Sequence, residues 1–344
     1  MKINNPILLG NGISGHSFLL YLSQAFKDFK QINVIDSQGL FKSVDANINI
    51  IVSENGIKKG KSDLGDLLYD SYEFFLKNFD DFDGVEKAPQ YFLKKHPKVS
   101  LNKFIRRFGS EESKISQAIF TQEIIGVERY SRIIDAVAFL KAIKQQSKLQ
   151  INNYHHDIVK ISYPSCPDDG PIKLISNGGK VLETNFLIIS AGPFTKFLPY
   201  NFQESTILER HKVNIGGVWS ASANLGDENF IFTIEMANFT YLAKQKIVQI
   251  SGVSDDQGIC LNLRDRLFSY YQIFSLLLKN IPKFDHGVIY SSYRDKGRAR
   301  MPYFSMKKVG DNLIFYLCGV YKNGYTLSPF LANKLINEYI TSCN

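Results

Sequence analysis

The residues of this 344-residue chain best arranged to do chemistry lie at its start. Ile7-Leu8-Leu9 runs into Gly10-Asn11-Gly12-Ile13-Ser14-Gly15, an apolar segment follows, and a second strand-like run over 32–35 ends at Asp36. A strand, a G-x-G-x-x-G turn, a helix and a second strand make a βαβ unit suited to a dinucleotide. Gly10 permits the tight turn, Gly12 lets a pyrophosphate approach the backbone, and Gly15 lets the helix pack close to the strand. Ile13 and Ser14 open a helix whose first N–H groups point at the phosphates. Asp36 follows Gly15 by 21 positions, where a carboxylate accepts from a ribose hydroxyl, with Ser37 next to it. The competing reading is a glycine-rich turn in an ordinary α/β domain.

Other elements must position that loop. Phe18, Leu19, Leu22 and Phe26 mark the buried side of the first helix. Leu68, Tyr72, Phe75 and Leu76 predict a helix over 67–79, and Ile134, Val137, Leu140 and Ile143 one over 133–146. Asn177-Gly178-Gly179 between two short apolar runs predicts a hairpin. The run 186–189 is apolar on both faces, so it belongs inside a parallel sheet. It stops at Ala191-Gly192. Segments 213–220, 230–234, 239–243 and 247–251 read as antiparallel strands, followed by a helix over 261–278 and a strand over 288–293. A last buried strand, 312–318, ends at Gly319, and a helix over 328–340 closes the chain. The fold class is α/β, with a discontinuous nucleotide domain over 1–80, 140–198 and 298–344. A second, α+β domain built on an antiparallel sheet is inserted as 81–139 and 199–297.

Composition narrows the field. Hydrophobic residues make up 44% and aromatic residues 13%, which suits a globular chain with a ring-rich core and excludes a disordered one. No apolar run approaches the roughly 20 residues that span a bilayer, and the first strand begins without signal-peptide organisation, so a cytoplasmic enzyme is expected. The four cysteines are scattered and the six histidines lack metal-ligand spacing, so no metal site or disulfide framework is expected. The net charge of +8 includes basic clusters at 58–61, 94–103 and 141–148. These read as solvated surface rather than a nucleic-acid face.

Three glycine-terminated strands in this order resemble the D-amino-acid oxidase superfamily of flavoproteins, glycine-oxidase-like members most of all. Residues 189–195, Ile-Ser-Ala-Gly-Pro-Phe-Thr, are similar to the family's A-G-x-W/F-S/T element. Gly319 to Gly324 with Leu327-Ser328-Pro329 is similar to its closing loop. The resemblance spans nearly the whole chain and implies non-covalent FAD in a Rossmann-like FAD-binding domain, with the inserted domain binding substrate. It adds Ile158, Ala191, Gly192, Gly319, Tyr321, Lys322, Asn323, Gly324, Tyr325 and Thr326 to the cofactor-binding set. It also implies that Arg294 grips a substrate carboxylate and that Tyr241 lies on the active-site strand; the competing readings are a surface arginine in the basic run 294–300 and a structural tyrosine. Residues 43–49 depart from the family's small-residue tract, and Val320 and Lys322 replace its usual His and Arg. The implied reaction oxidises the C–N bond of an amino acid or secondary amine by hydride transfer to flavin N5, with oxygen or another acceptor taking the electrons. Two alternatives remain open at this point: a flavin enzyme modifying wobble uridine in tRNA, and an inactive flavin-fold subunit.

Overall fold

The structure, a computed structural model, describes residues 3–26, 29–36, 49–54, 59–93, 113–115, 119–164, 166, 170–198, 210–235, 237–255, 262–297 and 300–343. Strands β1 (Ile7–Leu9), β2 (Gln31–Asp36), β7 (Gln150–His155), β11 (Phe186–Ile189) and β18 (Asn312–Cys318) form a parallel sheet. β17 (Tyr303–Val309) adds an antiparallel edge, giving the order β17-β18-β11-β1-β2-β7. β1, β11 and β18 are buried at every position, as expected of strands covered on both faces. Helices α1 (Ile13–Ala25), α2 (Asp63–Phe79), α3 (Ala136–Ser147) and α5 (Gly324–Cys343) cover one face through a phenylalanine-rich core that includes Phe18, Phe75, Phe139 and Phe315. The other face packs on a three-stranded sheet of β8 (Ile158–Ser162), β9 (Ile172–Ser176) and β10 (Val181–Thr184), through Ile161, Ile172 and Leu174. β9 and β10 form the expected hairpin.

A second sheet carries β3 (Asn49–Val52), β4 (Val85–Leu93), β5 (Ser113–Ile115), β6 (Ile124–Asp135), β12 (Lys212–Ser222), β13 (Phe230–Ile234), β14 (Ala237–Leu242), β15 (Ile247–Asp255) and β16 (Val288–Lys296). Its order is β16-β12-β15-β14-β13-β4-β6-β3, with β5 on β6, and only the β13–β4 pair is parallel. Alternation sends Ile215, Trp219, Phe230, Phe232, Phe239 and Tyr241 to one face, beneath helix α4 (Leu263–Leu277). Trp219 is fully buried there and donates from Nε1 to the Phe284 carbonyl at 2.8 Å.

Two sequence expectations change. Residues 133–135 are strand, not helix, because the β-branched pair Ile133-Ile134 extends β6 between β3 and β4. The helix begins one residue later, where the Asp135 carboxylate accepts from the N–H groups of Val137 and Ala138 at 3.0 and 3.1 Å. β3, placed by sequence with the nucleotide segment, instead pairs with β6 in the large sheet.

Candidate active site

The glycine loop is bent as its sequence requires. Gly10 has φ +99°, and a methyl group there would stand 2.7 Å from the Ser190 carbonyl carbon and 2.9 Å from Ala191 Cα. The end of β11 therefore lies against the turn. A methyl at Gly15 would overlap the Gly10 carbonyl and lie 3.2 Å from Leu8 Cδ2. Gly12 caps α1 without any side-chain cap, and the first turn holds no acidic residue, so the helix's positive end is left to an incoming anion. His16, which sequence reading passed over, turns Nδ1 back to the Gly12 carbonyl at 3.1 Å, and burial pushes its pKa below the usual histidine range.

The closing loop meets the same helix end. Ser14 and Ser328 share a buried hydrogen bond of 2.8 Å, which ties the first turn of α1 to the start of the second turn of α5. A methyl at Gly324 would sit 3.4 Å from Ile13 Cγ2, in ordinary contact. Gly319 has φ +74° and Tyr321 φ +49°, a conformation rare for a bulky side chain. That bend sends Tyr321 to the large sheet, where its hydroxyl bonds Ser254 Oγ at 3.0 Å. The Lys322 ammonium donates to the Gly252 carbonyl at 2.5 Å, and Lys296 bridges to Val320. Loop and sheet are thus joined.

On the sheet, Asn214, Gly216, Val218 and Ser220 of β12 face away from α4, together with Ser292 and Arg294 of β16 and Ser254 of β15. Arg294 pairs with Asn214, and its guanidinium lies over Gly216. Desolvation pulls the Arg294 pKa below the usual arginine range, and the nearby Tyr321 acts in the opposite sense. Among the described residues no carboxylate pairs with this guanidinium. Further along the same face Ser131 donates to Gln90, Gln90 to Thr233 at 2.7 Å, and Thr233 to Asn238 at 2.8 Å. This buried polar band has only a faint signal in the sequence, single polar residues such as Gln90, Thr233 and Asn238 on a strand face that otherwise holds Ala88, Ile133, Ile231 and Leu242.

Most residues singled out by sequence therefore fall in two groups. Gly10, Gly12, Ile13, Ser14 and Gly15 gather with Ala191 and Gly324 around the start of α1, whereas Gly319 lies against His211 and Gly297, and Tyr321 bonds Ser254 and faces Arg294. Asp36 ends β2 level with His155 of β7, and Ile158 opens β8 and packs on the core that contains Leu9 and Ile35. Ser37 and most of the divergent 43–49 tract lie outside the described residues. Tyr241 is a correction. Its ring is fully buried under α4, tilted against Phe230 with centroids 5.2 Å apart, and its hydroxyl donates to the Gly226 carbonyl at 2.7 Å, on the face opposite Arg294. Tyr325 is likewise turned into the helix core, 5.9 Å from Phe139 between ring centroids, and the Lys322 ammonium is committed to Gly252.

The architecture has solved counterparts. The chain superposes on glycine oxidase from Bacillus cereus ATCC 14579 with a TM-score of 0.71 and 12% identity, over 98% of this chain and 95% of that one. It superposes on fructosyl amine:oxygen oxidoreductase (Amadoriase I) from Aspergillus fumigatus with a TM-score of 0.69 and 13% identity, over 98% and 86%. L-α-glycerophosphate oxidase from Mycoplasma pneumoniae, solved with FAD bound, gives 0.68 and 14%, over 98% and 95%. The fold is that of these solved oxidases. No protein-family model matches the chain, and no curated protein is similar to it in sequence. No described helix is long and apolar enough to cross a membrane.

Proposed function

We propose that the chain is an FAD-dependent oxidoreductase that oxidises the C–N bond of an amine or amino acid bearing a carboxylate. The observation that carries the substrate half of this reading is the desolvated Arg294 guanidinium, unpaired with any described carboxylate. A half-buried cation with no carboxylate partner among the described residues is stabilised when a substrate carboxylate forms a bidentate pair with it. The cofactor half rests on the uncapped N-terminus of α1, the bent Gly10 and the close approach of Ala191 and Gly324. Those groups suit a pyrophosphate, and Asp36 suits the adenosine ribose. FAD, when bound, supplies the acceptor for a hydride from the carbon that carries the amine.

The chain's own residues then orient and dry the substrate. Arg294 fixes the carboxylate, Tyr321 and Ser254 wall the same space, and the sheet face excludes water. The alternatives of a tRNA-modifying enzyme and an inert subunit are not favoured by the structural neighbours, whose names are those of oxidases of small molecules. An anaerobic screen of flavin reduction over D-amino acids, glycine, N-methyl amino acids and simple amines tests the reading. A carboxylate-bearing amine should bleach the flavin, and Arg294→Ala should raise its half-saturating concentration by orders of magnitude with bound FAD unchanged. Reduction by uncharged amines alone, or an unchanged half-saturating concentration in the variant, would refute the carboxylate assignment.

A further inference from the structure

Arg294 has a place to lie only because β12 carries a glycine opposite its neighbour. Ser292 pairs with Gly216 and Arg294 with Asn214, so the arginine side chain must pass over position 216 to turn toward Tyr321. A methyl group at 216 would overlap Cζ and Nε of Arg294 and stand 2.6 Å from Nη2. Those atoms are the far end of the long Arg294 side chain and none belongs to the backbone, so a methyl at 216 would push the guanidinium off the strand. The adjacent Gly217 faces the other way, where a methyl would meet the Leu263 side chain at 2.7 Å, so the two glycines serve different sides of the strand.

We infer that Gly216 is a positioning residue for Arg294: its bare Cα is the floor on which the guanidinium lies, and the presence of any side chain there displaces the anion-binding group. This rests on the reading of Arg294 as a carboxylate site, and the two claims are separable. The three atoms nearest to a methyl at 216 all belong to Arg294, so the clash must vanish when that side chain is removed.

The experiment is a double-mutant cycle of Gly216→Ala and Arg294→Ala on the flavin-loaded protein, with two readouts. The first is the melting temperature. Gly216→Ala should lower it with Arg294 present and leave it within error when Arg294 is Ala. The second is calorimetric binding of acetate as a carboxylate probe, with acetamide as the uncharged control. Gly216→Ala should weaken acetate at least tenfold and acetamide little, whereas in the Arg294→Ala background it should change neither by more than twofold. An equal melting-temperature loss in both backgrounds, or none in either, overturns the positioning role of Gly216. Coupled melting temperatures with wild-type acetate binding in Arg294→Ala would uphold the positioning and overturn the carboxylate site.

Discussion

Two glycines at the nucleotide end should respond to alanine with opposite signs. Gly10 has φ +99°, and the new Cβ would stand 2.7 Å from the Ser190 carbonyl carbon and 2.9 Å from Ala191 Cα. Carbon–carbon contacts settle at about 3.5–4.0 Å, so the β1 turn and the end of β11 must separate by about 0.8 Å. Neither neighbour is a side-chain tip that can swing aside. Overpacking of this kind costs about 1–3 kcal/mol and the left-handed backbone about 1–3 kcal/mol more, so a loss of about 2–5 kcal/mol is expected. That is a large part of a typical stability of about 5–15 kcal/mol. Gly324, by contrast, has helical angles of φ −53° and ψ −46°, and its nearest contacts would be 3.4 and 3.5 Å. Alanine there restricts the unfolded chain without strain and should add about 0.4–1 kcal/mol. Urea unfolding of the flavin-free proteins reads both changes without cofactor linkage. A cost below about 1 kcal/mol for Gly10→Ala, or one above it for Gly324→Ala, would show that this local geometry is wrong.

Two further outcomes are expected. Tyr241→Phe removes the hydrogen bond to Gly226 and should cost about 0.5–1.5 kcal/mol in denaturant unfolding while substrate turnover stays within twofold; a large kinetic loss at wild-type stability would return Tyr241 to the active site. The Asp80 carboxylate bonds Arg132 at Nε and, at 2.7 Å, at Nη2, and that hydrogen bonding holds its pKa below the usual carboxylate range. A depressed folded pKa means that the pair stabilises above the unfolded pKa of about 3.9 and loses that contribution as pH falls through the folded value. With the Asp80 side chain 38% exposed, the discounted cost of Asp80→Asn at pH 7 is about 1–2 kcal/mol, shrinking below about pH 4. An equal difference between variant and wild type at pH 7 and pH 3 would contradict it.

The sequence by itself determined the nucleotide half of the fold. Gly10, Gly12 and Gly15 act within a few residues of one another, and the apolar runs at 186–189 and 313–318 announce burial on both faces, so local chemistry sufficed. β17 went unread because its residues are mostly half-buried and include Lys307 and Lys308, which blunts the alternation. Ile133-Ile134 was read as helix because three- and four-residue spacing of apolar groups recurs by chance at a strand–helix junction. The substrate half needed the tertiary structure. A period of two reveals that a strand has two faces, but which face meets α4 and which meets the closing loop depends on pairing between segments far apart in the chain. Tyr241 and Arg294 both sit on strands of that sheet, and register alone put one under α4 and the other over Gly216. The backbone bend at Tyr321 and its bond to Ser254, 67 positions away in sequence, joined loop to sheet, and no local pattern encodes such a distance.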